Sequence, residues 1–470
     1  MYRKNDGQIS IAEFISPFGK LDQNNRWVKK AEMIPWDRIE EKYASLFESD
    51  RGNVAKPVRM ALGAVMVRQD LTLSDEGTVQ MVLENVYTQY FIGLHEFTTE
   101  APFSASSMVY FRKRLTPEIL AEINEMIFAP EPPGEDDPGG DGSSDGEDKG
   151  ENEGTLILDA MCAPADITYP TDVGLLNEAR EKLEHIVDIL HPHTAQERKP
   201  RTYRRKARRD YLRFIKRRKK SKKLIRQAIK KQLGYVRRDL GHIDLLLEKI
   251  DIDSLPARYV GYLATIRILY EQQQLMYQTK THQVEDRIVS IGQPHVRPIV
   301  RGKHNAPVEF GAKVSISLVN GYSFVDKIGW DNYSEAGLLP QAIEDYRKRF
   351  GHYPKAVLAD KLYRNRENLQ YCKHRQIRLS GPRLGRPPAN MPFDPYERPD
   401  NAARNAVEGK FGEGRTGYGL NRIMAHLKET SETVIVLAFL CMNLNRKLRS
   451  LLLSFFSPHD FLRFPISCVC

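Results

Sequence analysis

The apolar residues of this chain change their period near residue 300, and that change fixes most of what the chain can fold into. Before it, Leu224, Ile225, Ile229, Leu233, Val236, Leu240, Ile243, Leu246, Leu247 and Ile250 recur at helical spacing, which predicts a helical hairpin. After it, residues 309–318 alternate apolar and polar, the period of a strand. Asn320-Gly321 is a strong hairpin signal, and residues 322–328 answer as the returning strand. Upstream, Thr155-Leu156-Ile157-Leu158-Asp159 reads as a short apolar strand. Downstream, a helix is expected over 335–350, a strand over 355–360, a helix to about His374, a short strand at 377–380, a Pro- and Arg-rich loop over 382–399, and a last helix carrying Glu408. A helical insertion over about 173–285 separates the first strand from the hairpin. This order describes an α/β mixed sheet flanked by helices.

At 470 residues the chain exceeds one hydrophobic core, so several domains are expected. Residues 1–128 look all-α. Pro57 suits the first turn of an apolar helix from Val58, Ser74 suits the cap of the next, and Ser107 the cap of a third. This spacing fits either a helix-turn-helix-like DNA-binding unit or a plain helical bundle. Residues 129–154 combine Pro, Gly, Ser and acid and read as a disordered linker. The main block is expected over 155–445 and a C-terminal tail over 446–470. The apolar run Val434 to Met442 is too short to cross a bilayer and reads as a buried helix. The N-terminus lacks the apolar core of a signal peptide, and the five cysteines form no Cys-x-x-Cys pair. Zinc fingers and a disulfide framework are thereby disfavoured, and a cytoplasmic, nucleoid-associated location is expected.

Charge is distributed unevenly. The net charge is +10, yet residues 197–238 hold 21 Lys and Arg against two acids, while residues 131–153 hold ten acids against one lysine. The basic character is therefore confined to one segment, including Arg204, Arg205, Lys206, Arg208, Arg209, Lys216, Arg217, Arg218, Lys219 and Lys220. Read as one unbroken helix, it would reach roughly 60 Å at about 1.5 Å per residue. A field so concentrated attracts polyanions, and phosphates of double-stranded DNA are the expected partner.

Three acids stand where a sheet could gather them: Asp159 at the end of the first strand, Asp360 at the end of the 355–360 strand, and Glu408 on the closing helix. Carboxylates at adjacent strand tips, with a third on a flanking helix, can hold two divalent ions about 4 Å apart, the arrangement that cuts and joins phosphodiesters. Hard oxygen ligands favour Mg²⁺, with Mn²⁺ as a substitute. Arg404 lies one helical turn before Glu408 and Arg415 two turns after it, both suited to clamping phosphates. Arg404–Glu408 would otherwise be an intrahelical ion pair. Trp330 after the hairpin suits either stacking on an extruded base or the core.

Leu158-Asp159-Ala160, residues 164–172 and 175–180, Ala359-Asp360-Lys361-Leu362-Tyr363, and residues 404–412 with Tyr418-Gly419-Leu420 together resemble the motifs of bacterial insertion-sequence DDE transposases. Residues 56–115 are similar to the N-terminal helical domain of that family. The resemblance implies a ribonuclease H-like catalytic domain, a catalytic and metal-binding triad of Asp159, Asp360 and Glu408, and two Mg²⁺ ions. It also implies terminal inverted repeats and target DNA as partners, and a homodimer on paired ends. In the family's third motif, Arg404 and Glu408 match, whereas Asn401 stands at the tyrosine position and Arg415 at the lysine position. The resemblance implies metal-dependent DNA cleavage and strand transfer. Two rival readings are a non-catalytic or repurposed DNA-binding protein and a ribonuclease H-like nuclease.

Overall fold

The structure, a computed structural model, describes residues 18, 21–47, 54–129, 151–194, 198–303, 306–381 and 395–455. Most of the expected acidic linker (130–150), most of the Pro- and Arg-rich loop (382–394) and the end of the tail (456–470) lie outside the described residues.

The N-terminal region is helical: α1 (Arg26–Met33), α2 (Trp36–Ala44), α3 (Val58–Leu71), α4 (Asp75–Glu84), α5 (Val86–Phe91), α6 (Ser107–Arg114) and α7 (Pro117–Phe128). Pro57 stands just before α3, where its missing N–H costs nothing. The Ser74 hydroxyl accepts from the Gly77 N–H at 2.9 Å, as a cap should. Ser107 is instead the first residue of α6, and Ser106, at the cap position, makes no capping bond.

The sheet has six strands among the described residues: β1 (Thr155–Pro164), β2 (Arg297–Lys303), β3 (Ala306–Val319), β4 (Tyr322–Gly329), β5 (Ala356–Leu358) and β6 (Arg378–Leu379). β1 is central. It pairs antiparallel with β3 on one side and parallel with β5 on the other, and β6 extends β5 in parallel. β2 and β4 pair with successive stretches of β3, so β3 carries both. The Asn320-Gly321 turn closes the β3–β4 hairpin with both residues at positive φ, +52° and +81°, which is why an asparagine and a glycine stand there. The chain is thus mixed α/β, as its element order predicts. β2 is not among the strands expected from the sequence, and two strand ends near the acids differ from expectation. β1 does not end at Asp159 but runs to Pro164, because β3 pairs with it from Ile157 to Pro164. β5 is shorter than expected, and Asp360 caps the 3₁₀ turn Lys361–Tyr363 rather than ending the strand.

Helices cover both faces. Leu156 and Leu158 pack with Leu339, Ile343 and Tyr346 of α12 (Leu339–Phe350) and Cys372 of α13 (Arg366–His374). Met161 and Ala163 belong to a larger core with Val407 and Phe411 of α14 (Glu397–Gly417) and residues Ile435 to Met442 of α15 (Lys428–Phe455). The expected buried apolar helix is this α15, and no described helix is long and apolar enough to cross a membrane. Trp330 is buried in the same core and donates its Nε1–H to Glu432 at 2.8 Å, so it is a core residue and offers no free stacking face. α14 persists through Gly412 and Gly414. At Gly414 a side chain would come within 2.7 Å of Leu420, so glycine there permits the contact that turns the chain back.

The insertion builds a core of its own from α8 (Asp172–Leu190), α10 (Lys222–Leu247) and α11 (Ala257–Thr279), with α9 (Arg204–Ile215) packed against α8 and α10. Leu233, Val236, Leu240, Ile243 and Leu246 fall on the buried face of α10, as their spacing predicts. The basic segment is not one rod, however. It breaks at 216–221, and Ser221 caps α10 by accepting from the Leu224 N–H at 3.3 Å.

Candidate active site

The parallel register of β1 and β5 pairs Ile157 with Leu358. Asp159 and Asp360 stand two residues beyond that pair on their respective chains, at the point where β5 stops and β1 continues. Asp159 shares its face of β1 with Ile157 and Met161, toward α14, because strand residues alternate faces. Its carboxylate accepts from the Ala160 N–H at 2.8 Å. Asp360 accepts from the Lys361 N–H at 2.7 Å and from Arg404 Nη1 at 3.4 Å. Burial pushes the Asp159 carboxyl up to about 6, and the negative charges of Glu335 and Asp360 push the same way, against the pull of Arg404. Asp159, Asp360 and Arg404 are therefore brought into one electrostatic neighbourhood.

Glu335 belongs to the same neighbourhood and no sequence signal marked it. It opens the 3₁₀ turn Glu335–Leu338 after the hairpin and pairs with Lys313 of β3 at 2.8 Å, both side chains being mostly buried. A single Glu at a turn looks like any helix-start acid, so only the three-dimensional path reveals its proximity to Asp159.

Glu408 is placed differently. It is exposed on α14, and its carboxylate takes no ion pair or hydrogen bond among the described residues. Arg404 turns to Asp360 rather than to Glu408, so the intrahelical pair does not form. Arg415 donates from Nη2 to the Cys162 carbonyl of β1 at 3.3 Å, which ties α14 to the sheet. Among the described residues no three His, Cys, Asp or Glu side chains come together closely enough to hold a metal ion. The Asp159–Asp360 pair nonetheless has the chemistry a hard cation takes. Its donors are carboxylate oxygens, and their mutual repulsion is what a cation would relieve.

The basic segment presents an open surface. Arg205, Lys206, Arg208 and Arg209 on α9, and Lys216, Arg217, Arg218, Lys219 and Lys220 after it, are all exposed and have no acidic partner among the described residues. Arg204 is engaged instead by Asp188 at 2.7 Å. Ala207 and Phe214 are the buried residues that hold α9 down.

Two families match. Residues 357–445 match the family described as "Transposase DDE domain", and residues 16–114 match "Transposase domain (DUF772)". A similar protein is the "Uncharacterized protein ORF8 in nfe locus" of Rhizobium meliloti, 30% identical over 156 residues that cover 33% of this chain and 70% of that protein. No solved structure matches the chain significantly. The DDE match contains Asp360, Arg404 and Glu408, and the other spans α1 to α6. By both matches, the chain belongs to the insertion-sequence DDE transposases.

Proposed function

We propose that this transposase binds the terminal inverted repeats of its own mobile element and, with Mg²⁺, cleaves and transfers the strand ends. The observation that carries the reading is that Asp159 and Asp360 stand just past the last β1–β5 pair, within electrostatic reach of each other and of Arg404. The sheet supports a ribonuclease H-like arrangement: an antiparallel β1–β3–β4 half and a parallel β1–β5–β6 half meeting at the strand that carries the first acid. In this reading residues 1–128 are a DNA-binding domain and residues 155–445, with the insertion, the catalytic one.

Asp159 and Asp360 would hold the metal, and Glu408 is the third carboxylate assigned by the motif. When bound, the ion would activate a water or a 3′-hydroxyl and stabilise the leaving oxygen. Arg404 holds Asp360 in place and adds positive charge where a phosphate would sit. The exposed cations of α9 and of 216–220 grip flanking duplex, and two copies acting on paired ends would form the working assembly.

Asp159→Asn or Asp360→Asn should lower Mg²⁺-dependent cleavage of a terminal-repeat duplex at least about a hundredfold, since each removes a charged ligand. Duplex binding, measured by fluorescence anisotropy, should change less than about twofold, because DNA affinity rests on phosphate contacts made elsewhere. Glu408→Gln tests the motif assignment in the same assay. Undiminished cutting by either aspartate variant refutes the catalytic assignment, and binding without any cutting by the unmodified chain returns the protein to the DNA-binding alternative.

A further inference from the structure

We infer that the cleft between the end of β1 and the helical insertion takes an unpaired nucleotide of the DNA strand; this rests on the proposed DNA function. The cleft has a volume of about 750 Å³, within the range of small-ligand sites. It lies apart from the acidic pair: five residues of β1, about 16 Å at roughly 3.3 Å each, separate Asp159 from Pro164, and the cleft begins beyond that.

Its lining has the chemistry of base recognition. Three tyrosines from three different elements face it. Tyr169, in the loop after β1, is 73% exposed, its ring braced edge-on by Phe310 at 5.6 Å. Tyr262 of α11 is half-buried, with the Lys182 ammonium 4.1 Å from its ring centre and its hydroxyl accepting from Arg258 Nε at 2.8 Å. Tyr211 comes from α9, the basic helix itself, so the cleft is continuous with the surface that meets phosphates. Aromatic rings beside cations are what unstacked bases and their phosphates bind, and a paired base offers no free face to them.

A second, independent feature lines the same cleft. Gln293 is 2% exposed, and its amide is fixed, with Nε2 donating to the Asp166 carbonyl at 2.9 Å and lying 3.0 Å from His426 Nδ1. Its Oε1 has no hydrogen-bond partner among the described residues. A buried acceptor held in place and left without a donor is costly, and the N–H of a nucleobase edge would satisfy it. The acids nearby do not repel a phosphate strongly: Asp166 is paired with Arg422, and Glu178 with Lys182 at 3.3 Å, whereas Arg258 has no acidic partner among the described residues.

The test uses the full chain without metal. Anisotropy titrations compare a fluorescent oligo(dT) single strand with a blunt duplex of equal length, for the unmodified chain and for the double variant Tyr169→Ala, Tyr262→Ala. Base–aromatic stacking is worth about 1–3 kcal/mol per base, so single-strand affinity should fall about tenfold or more. Duplex affinity should hold within about twofold and also reports that the variant is folded. A 5-iodouracil oligonucleotide should crosslink to Tyr169 or Tyr262, located by peptide mass spectrometry. Unchanged single-strand affinity, or crosslinks confined to other residues, overturns the assignment. Tight duplex binding with no single-strand binding sinks the cleft alone, whereas failure of both substrates sinks the DNA function beneath it.

Discussion

Burial is the first cause of the upward shift at both Asp159 and Asp239, in two different settings. Asp159 is pushed up to about 6 by burial, with like charges from Glu335 and Asp360 adding to it, in a site that opens toward α14. Asp239 is fully buried on α10, neither of its oxygens has a hydrogen-bond partner among the described residues, and it is pushed up to about 8 by burial first and by Glu184 second. Arg238, Arg180 and Arg204 pull the other way without prevailing. The sign of the stability effect follows. Near pH 4 and below, the Asp239 carboxyl is protonated in both folded and unfolded chains and costs nothing. Between about pH 4 and 8 only the unfolded chain gives up the proton, so stability falls as pH rises; above 8 the penalty is constant. Asp239→Asn should therefore stabilise the protein by at least about 1 kcal/mol at pH 8, because the amide cannot ionise and so avoids placing a charge in the buried site. Thermal melts of both proteins from pH 4 to 8 should converge at the acid end. A variant with a lower Tm at pH 8 would mean that the charged form is held by interactions stronger than burial.

At the scale of elements, what was legible in the sequence was what local chemistry decides. The β3–β4 hairpin follows from Asn320-Gly321 because those residues tolerate positive φ, and the buried face of α10 follows from its apolar spacing. What was not legible depends on partners distant in the chain. β1 runs past Asp159 only because β3 lies beside it, and Glu335 comes near Asp159 only because the 3₁₀ turns at 335–338 and 361–363 meet. The long basic rod fails for a local reason that charge counting overlooks. Residues 216–220 are five consecutive cations with no apolar residue to anchor them, and Ser221 restarts the helix. The resulting corner displays its charges on a short, folded surface. Replacing Arg205, Lys206, Arg208 and Arg209 with Gln should leave the fold intact, since all four are exposed. For every phosphate that is no longer neutralised, the slope of log affinity against log salt should become shallower by about 0.9. Anisotropy titrations across salt concentrations measure this; an unchanged slope would remove α9 from the DNA interface.

Across the whole molecule, α15 is the member that joins the N-terminal helices to the sheet. Its apolar residues lie in one core with α1, α3 and α7 on one side and with Val314 and Ile316 of β3 on the other. Polar groups fix the register of that packing. Asn443 of α15 donates to Asn124 of α7 at 2.9 Å and to the Ser323 carbonyl of β4 at 2.7 Å, and its own oxygen accepts from the Ser323 N–H at 2.9 Å. A second buried link joins Lys30 of α1 to Asp70 of α3, which also accepts from Asn445 of α15 at 2.9 Å. The insertion, by contrast, has its own apolar cluster. Cooperativity should therefore divide along cores: the N-terminal helices and the sheet melt together, and the insertion can open separately. Asn443→Ala leaves the Asn124 amide oxygen and the Ser323 groups short of partners in a dry site, a loss of roughly 2–4 kcal/mol. Hydrogen exchange followed by mass spectrometry should show α3, α7, β3 and β4 losing protection by similar amounts in that variant, while α10 and α11 keep theirs. If protection fell in α7 alone, the N-terminal helices would be a separately folding body merely resting on the sheet, and strain generated where DNA is gripped could not reach Asp159 through α15.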